Sequence, residues 1–298
     1  MHSIIHYTSC PLCNSGKIHK ALTAKDHTVS GELFDIWECD DCGARFTQDV
    51  PDADSIGRYY QSENYISHSN TKRGLINKVY HQVRKITLDQ KKKLVQKVTR
   101  REKGKLLDIG AGTGLFVETM RKAGWDATGL EPDATARAKA KEMNIALDDT
   151  AALFQLQGGQ FDAITMWHVL EHVHAIHDYL QHIRTILKHG GMLLIAVPNY
   201  TSADAKAYGE YWAAYDVPRH LYHFSPGSMQ ALFKKHRMHF IGTYPQWFDS
   251  YYVSLLSERY KTGKLGVIKG SLNGLRSNIA ARGAATRCSS VIYVAERS

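Results

Sequence analysis

The chain has 298 residues, 43% of them hydrophobic, and carries a formal net charge of +9. This supports a globular protein with a real core, either one large domain or a medium domain with attachments. No run is long and apolar enough to span a bilayer. The opening MHSIIHYTSC lacks the basic and apolar regions of a signal peptide, so a cytoplasmic chain is expected.

The first element is marked by two cysteine pairs, Cys10-Pro11-Leu12-Cys13 and Cys39-Asp40-Asp41-Cys42. Each pair puts two thiolates on one tight turn, and two such knuckles make a tetrahedral zinc site. Leu33, Phe34, Ile36 and Trp37 give the gap between them the apolar content of a hairpin. Residues 1–50 are therefore expected to form a zinc ribbon held by Cys10, Cys13, Cys39 and Cys42. Two disulfides are the competing reading, and they fit a secreted chain better than this one.

Residues 51–103 read as a helical connector. The segment opens on SIGRYYQSENYISHSN and continues with Leu75, Val79, Val83 and Ile86 at helical spacing. From Lys72 to Lys105 thirteen basic residues face only Asp89 and Glu102. Such a stretch is either a solvated helical face or a landing surface for RNA or an anionic membrane.

From residue 104 strands and helices alternate. KLLDI, ending at Ile109, is followed by Gly110-Ala111-Gly112-Thr113-Gly114 and then a helix closed by Gly124. Asp126 to Leu130 is a second strand, closed by Glu131-Pro132-Asp133. FDAITM and MLLIAV are further strands with helices between them. Repeated β-α-β units predict an α/β fold, a doubly wound Rossmann-like parallel sheet. Its ligand site lies at the carboxyl ends of the strands.

The glycine turn departs from the dinucleotide fingerprint, because its glycines fall at 110, 112 and 114 and Leu115 stands next. Asp108, just before the turn, would repel a pyrophosphate. It would suit a ligand with an ammonium and a sulfonium, such as S-adenosylmethionine (SAM). Glu131 is placed to accept from both ribose hydroxyls.

LLDIGAGTG, GLEPD, FDAITMWHVLEHV and GGMLLIAVPN, in that order, resemble the motifs of class I SAM-dependent methyltransferases. More narrowly, the chain resembles zinc-ribbon methyltransferases of the type 11/12 kind, in which a Tyr-rich linker follows the ribbon. The resemblance implies a seven-stranded sheet over 104–298 whose last strand, from SSVIYVAER, is antiparallel and pairs with HFIGTYPQW. It implies that Asp108, Gly110, Gly112, Gly114, Glu131, Pro132, Asp149 and Trp167 line the cofactor, with Asp149 at the adenine. It also places Tyr60 and Tyr65, in the linker YYQSENYISH, on the acceptor side. An insertion at about 248–287 interrupts the last two strands, far longer than a hairpin loop, and is expected to be a lid or docking element.

His168-Val169-Leu170-Glu171-His172 also spells the inverted zinc-protease motif H-x-x-E-H. The protease reading needs both histidines inside one helix, whereas here the segment leaves a strand. Some methyltransferases of this fold carry E-x-x-E-H at this place and bind a second divalent metal there. His168 replaces the first Glu, and His220 is a candidate distant ligand. DVPRHLYHF, residues 216–224, then supplies Arg219 to clamp an anionic acceptor and His220 or His223 to take a proton.

The reading is methyl transfer from SAM to a small-molecule, glycan-like or lipid-linked acceptor, on O or C. The alternatives are an RNA methyltransferase that uses the ribbon and the basic segment 72–105 to bind RNA, and a non-catalytic ribbon protein on a SAM fold.

Overall fold

A computed structural model describes residues 3–61, 75–264 and 266–298, the side chains of 75–81 excepted. Tyr65 and residues 72–74 of the basic segment lie outside the described residues, and so do the side chains of Leu75 and Val79.

The N-terminal module contains β1 (Ile4–Ile5), β2 (Ile18–Lys25), β3 (Leu33–Cys39), β4 (Arg45–Thr47) and β5 (Val50–Pro51). Then come α1 (Leu75–Thr99), β6 (Lys105–Ile109), α2 (Leu115–Lys122), β7 (Asp126–Leu130), α3 (Ala134–Glu142), β8 (Phe161–Trp167), α4 (Ile176–Ile186) and β9 (Leu187–Pro198). The remainder is α5 (Ala203–Tyr208), β10 (Tyr222–His223), α6 (Pro226–Lys235), β11 (Met238–Pro245), α7 (Asp249–Thr262), α8 (Val267–Ala280) and β12 (Ser290–Arg297).

The large sheet has six strands in the order β11-β12-β9-β8-β6-β7. β7, β6, β8 and β9 run parallel, and β12 is antiparallel to both neighbours. The expected α/β sheet and its reversed last strand are present. Where the seventh strand was expected, a single bridge joins Leu130 to Asp148. Asp149 then caps a short helical turn, Thr150–Gln155, which carries the chain off the sheet.

Both faces of the sheet are covered, which is why β8 is buried at every residue. Alternation sorts its side chains. Ile164 and Met166 pack on one face with Leu180, Ile183, Leu232 and Phe233 of α4 and α6. Ala163 and Trp167 pack on the other with Leu94, Val95 and Phe116 of α1 and α2. α1 approaches through Leu88, Leu94, Val95 and Val98. Ile86, expected on the buried stripe, is 46% exposed.

The ribbon is not a separate bead. Its sheet runs β10-β4-β3-β2, so its fourth strand comes from DVPRHLYHF. Cys10, Leu12, Cys39, Phe46 and Val50 belong to the same buried cluster as the sheet face beneath α4 and α6. The interruption at 248–287 is a helical hairpin, α7 against α8. Among the described residues, no helix is long and apolar enough to cross a membrane.

Candidate functional site

At the carboxyl end of β6 the chain turns through Gly110, Gly112 and Gly114, all with left-handed φ (+73°, +56° and +76°). Two of these are closed to any side chain. A Cβ on Gly110 would run into Val169, and one on Gly114 would stand 2.6 Å from Ile145 Cγ2. Gly112 is different. A Cβ there would meet nothing within 4 Å, so its backbone faces open space that a ligand can approach closely. The Gly112 N–H donates to Glu131 Oε2 at 2.7 Å, and the Asp133 N–H to Glu131 Oε1 at 3.0 Å. Glu131 thus ties the glycine turn to the end of β7. Pro132 follows it, and Asp133 caps α3.

Asp108 is buried, and Thr165 Oγ1 donates to its Oδ1 at 2.6 Å. Burial pushes the Asp108 carboxyl up to about 7, against the pull of the Thr165 hydroxyl. A cationic ligand beside it would restore the charged form. Trp167, at the end of β8, stands edge-on to Phe116 with its indole N–H unpartnered. Over its other side the Lys91 ammonium lies 4.3 Å from the ring centroid, drawn by the charges of Asp108 and Asp249 while burial lowers its pKa. Sequence reasoning missed Lys91, a basic residue of α1 that turns inward onto Trp167. Asp149 pairs with Arg137 at 2.9 Å on the outer rim. Asp108 and Glu131 suit SAM in charge, and Gly112 suits it in backbone access.

Beyond β8, His168 adopts φ +58°. Its Nε2 lies 2.8 Å from Asp249 and its Nδ1 3.4 Å from Glu171. Burial works against charging this ring, but the two carboxylates hold its pKa up to about 10. With each His168 ring nitrogen facing a carboxylate, neither is turned to a metal or an acceptor. Its expected place in the catalytic set is corrected on that ground.

Glu171, His172 and His220 do converge, with one ligand atom from each lying within 4.8 Å of the others. Glu171 is fully buried and neither oxygen has a hydrogen-bond partner. His172 Nδ1 donates to the Arg219 carbonyl at 2.9 Å, and His220 Nδ1 to the Ala214 carbonyl at 2.8 Å. A carbonyl can only accept, so both rings keep their Nε2 lone pairs. Burial and the neighbouring His220 push His172 down to about 4. The Tyr60 hydroxyl lies 3.0 Å from His172 Nδ1.

Two further expectations are corrected. Arg219, expected to clamp an acceptor, is 1% exposed. Its guanidinium donates to Asp216 at 2.7 and 3.0 Å, to Asp26 at 3.0 Å, to the Tyr59 carbonyl at 2.7 Å and to the Thr28 hydroxyl. At 1% exposure and among these partners, it is committed to the fold and not presented to a substrate. His223, expected as a base, sits on β10 in the ribbon seam. Its Nε2–H donates to Thr47 Oγ1 at 3.1 Å, and that hydroxyl donates in turn to the His220 carbonyl at 2.7 Å.

In the ribbon the four thiols are free, with all four sulfurs within 4.8 Å of one another. Cys10 and Cys42 Sγ are 3.6 Å apart, and Cys13 and Cys39 Sγ 3.5 Å. A disulfide would need about 2 Å. A tetrahedron of sulfurs around zinc has edges of about 3.8 Å, so the donor set fits one ion.

The strand order, the glycine turn and the acidic pocket define a class I SAM-dependent methyltransferase architecture. A family model described as a methyltransferase domain matches residues 79–236, just over half of the chain, and the chain belongs to that family. Curated relatives include proteins named ubiquinone biosynthesis O-methyltransferase. That of Chelativorans sp. (strain BNC1) is 36% identical over 104 residues, and that of Roseobacter denitrificans (strain ATCC 33942 / OCh 114) is 34% identical over 102 residues. These matches cover 33% and 32% of this chain and 41% of each relative, so the chain spans about two fifths of the length of those relatives. Among solved structures, a geranyl diphosphate methyltransferase in complex with SAM superposes with a TM-score of 0.53 at 12% identity, over 79% of this chain and 95% of that one. The cyclase SpnF does so at 0.50 and 16%, over 70% and 80%. These two share the fold, and their different names mean that the reaction must be argued from the site.

Proposed function

We propose that the chain transfers the methyl group of SAM to a hydroxyl oxygen of a small-molecule acceptor. The observation that carries the reading is the Glu171–His172–His220 cluster at the end of β8, beside the acidic pocket. The relatives' names point the same way, to O-methylation. When bound, the cofactor supplies a methyl on a positively charged sulfur, and the chain's residues do the rest. Gly112 and Glu131 seat the ligand, and the buried Asp108 carboxylate balances its positive charge. His220 Nε2, fixed by its Nδ1–H bond to Ala214, takes the acceptor's hydroxyl proton, and Glu171 stabilises the imidazolium that results. Tyr60 borders the same space and orients the acceptor. Burial keeps water from competing for the methyl. Holding oxygen, methyl and sulfur in line supplies most of the remaining barrier reduction.

A divalent cation at the same cluster is the second reading, and the buried Glu171 carboxylate, which makes no hydrogen bond, favours it. One carboxylate and two imidazole lone pairs from Glu171, His172 and His220 make a facial donor set for such an ion, which would lower the acceptor hydroxyl's pKa. In the ribbon, Cys10, Cys13, Cys39 and Cys42 would hold a structural zinc.

The test is methyl transfer from labelled SAM to a panel of phenols and catechols. His220→Asn should lower kcat about 100-fold or more with SAM affinity unchanged, and Gly112→Val should abolish SAM binding. Full turnover in folded His220→Asn would sink the assignment. Inhibition by chelator, relieved by added Mg or Mn, selects the cation reading.

A further inference from the structure

The helical hairpin of α7 and α8 is built the wrong way round for a surface element. A helix on a globular protein normally buries its large apolar face and shows its small or polar one. α8 does the opposite. Its inward seam is Gly270, Gly274, Ser277 and the following Ala281, all buried, and it meets α7 at Ser250, Tyr251 and Leu255. The fit is backbone to backbone. A Cβ on Gly270 would stand 2.9 Å from Leu255 Cα, and one on Gly274 2.8 Å from Tyr251 Cα. Ser277 also donates to the buried Asp204 at 2.6 Å. The seam is therefore specified at several points, and the helix cannot roll over to bury its other side.

That other side carries Ile268, Leu272, Leu275 and Ile279, which are 79%, 49%, 44% and 51% exposed. The spacing of 4, 3 and 4 residues sets them in one row along the helix, opposite the glycine seam. Tyr252 of α7, 49% exposed, adds to the apolar surface of the hairpin. Charge says what would cover the row. Between Glu258 and Glu296 the chain has seven basic residues and no acidic one. Glu258 is itself buried and paired with Lys269 at 3.0 Å, and Asp249 is turned inward onto His168. Lys264, Arg276, Arg282 and Arg287 are exposed.

We propose that the outer face of α8 docks on an anionic lipid bilayer, its four aliphatic side chains entering the headgroup boundary and its basic neighbours pairing with lipid phosphates. A protein partner or a second copy could bury the same aliphatic row, but neither calls for a flank without a single acid. The root of the hairpin adds a functional side. α7 begins at Asp249, which holds His168 at the pocket, so a docked hairpin keeps the pocket beside the lipid surface. The proposal depends on this face alone and stands apart from the identity of the acceptor.

The experiment is flotation of the full chain with vesicles of mixed phosphatidylglycerol and phosphatidylcholine, and with phosphatidylcholine alone. Wild type should float only with the anionic vesicles, and less as salt rises. The quadruple variant Ile268→Ser, Leu272→Ser, Leu275→Ser, Ile279→Ser should stay in solution with unchanged SAM affinity, which reports that it is folded. Should that variant fail to fold, Arg276→Gln with Arg282→Gln keeps the aliphatic row and should bind about 30-fold more weakly. The proposal is overturned if wild type does not float at low salt. It is equally overturned if the serine variant floats as well as wild type, if the folded double variant binds undiminished, or if wild type is a dimer that the serine variant splits with no vesicle binding in either.

Discussion

Asp216 to Phe224 feeds two buried polar clusters built on opposite rules. Around Arg219, every charge is answered. The guanidinium meets Asp26, Asp216, Thr28 and the Tyr59 carbonyl, and Asp26 also accepts from the backbone of Thr28, Val29 and Ser30. One residue along, His220 reaches into a cluster where the Glu171 carboxylate is fully buried and makes no hydrogen bond, with His168 3.4 Å away. A buried carboxylate without a hydrogen bond is costly, whereas Arg219 and its two carboxylates are bonded to one another. The saturated cluster joins the N-terminal module to residues 216–219, and the open one is the cluster to which we assign the chemistry.

The sharpest way to break this contrast is to exchange the consequences. Arg219→Met leaves two carboxylates buried without their counter-ion and should cost about 3–5 kcal/mol, read from urea midpoints, with SAM affinity retained in the folded fraction. Glu171→Gln should do the reverse. Stability should stay within about 1 kcal/mol of wild type, while methyl transfer falls about 100-fold. If Glu171→Gln unfolds the chain as Arg219→Met does, the two clusters are one structural network and the contrast fails.

The smallest expected effect is in pH. Burial pushes Asp26 up, but the Ser30 backbone and Arg219 pull it well below the usual carboxylate range, and Arg219 does the same for Asp216. Carboxylates with depressed folded pKa values stabilise the fold above their unfolded values near 4. That stability is lost as pH falls through the depressed values. The gap between wild type and Arg219→Met should therefore be widest at neutral pH and narrow below about pH 4. A gap that does not change with pH would mean that packing of the guanidinium, and not its charge, sets the cost.

What the sequence disclosed was local. The glycine turn, Asp108, Glu131 and the cysteine knuckles each lie within a few residues of the feature that identifies them. Arg219 was misjudged because its partner Asp26 is 193 residues away. An unanswered arginine and a saturated one look alike until the fold is known. His168 was misjudged for the same reason, since Asp249 belongs to the hairpin. Lys91 was hidden by its company, because among thirteen basic residues nothing marks one that turns inward onto Trp167. The seventh strand was expected by analogy, and the chain spends those residues on a capped turn.

The ribbon's borrowed strand has a consequence for how the chain is made. Thr47 and His223, which meet across β4 and β10, are 176 residues apart. At a synthesis rate of about 5–20 residues per second, β4 waits about 10–35 s for its neighbour. During that time it presents an open edge, the kind of surface on which nascent chains pair wrongly. Arg45, whose side chain is turned to Glu38 on the adjacent strand, gives that edge a charged guard. The same separation makes the closing contact one of long sequence range, which slows folding. On a ribosome, the module at the front of the chain is among the last to be finished.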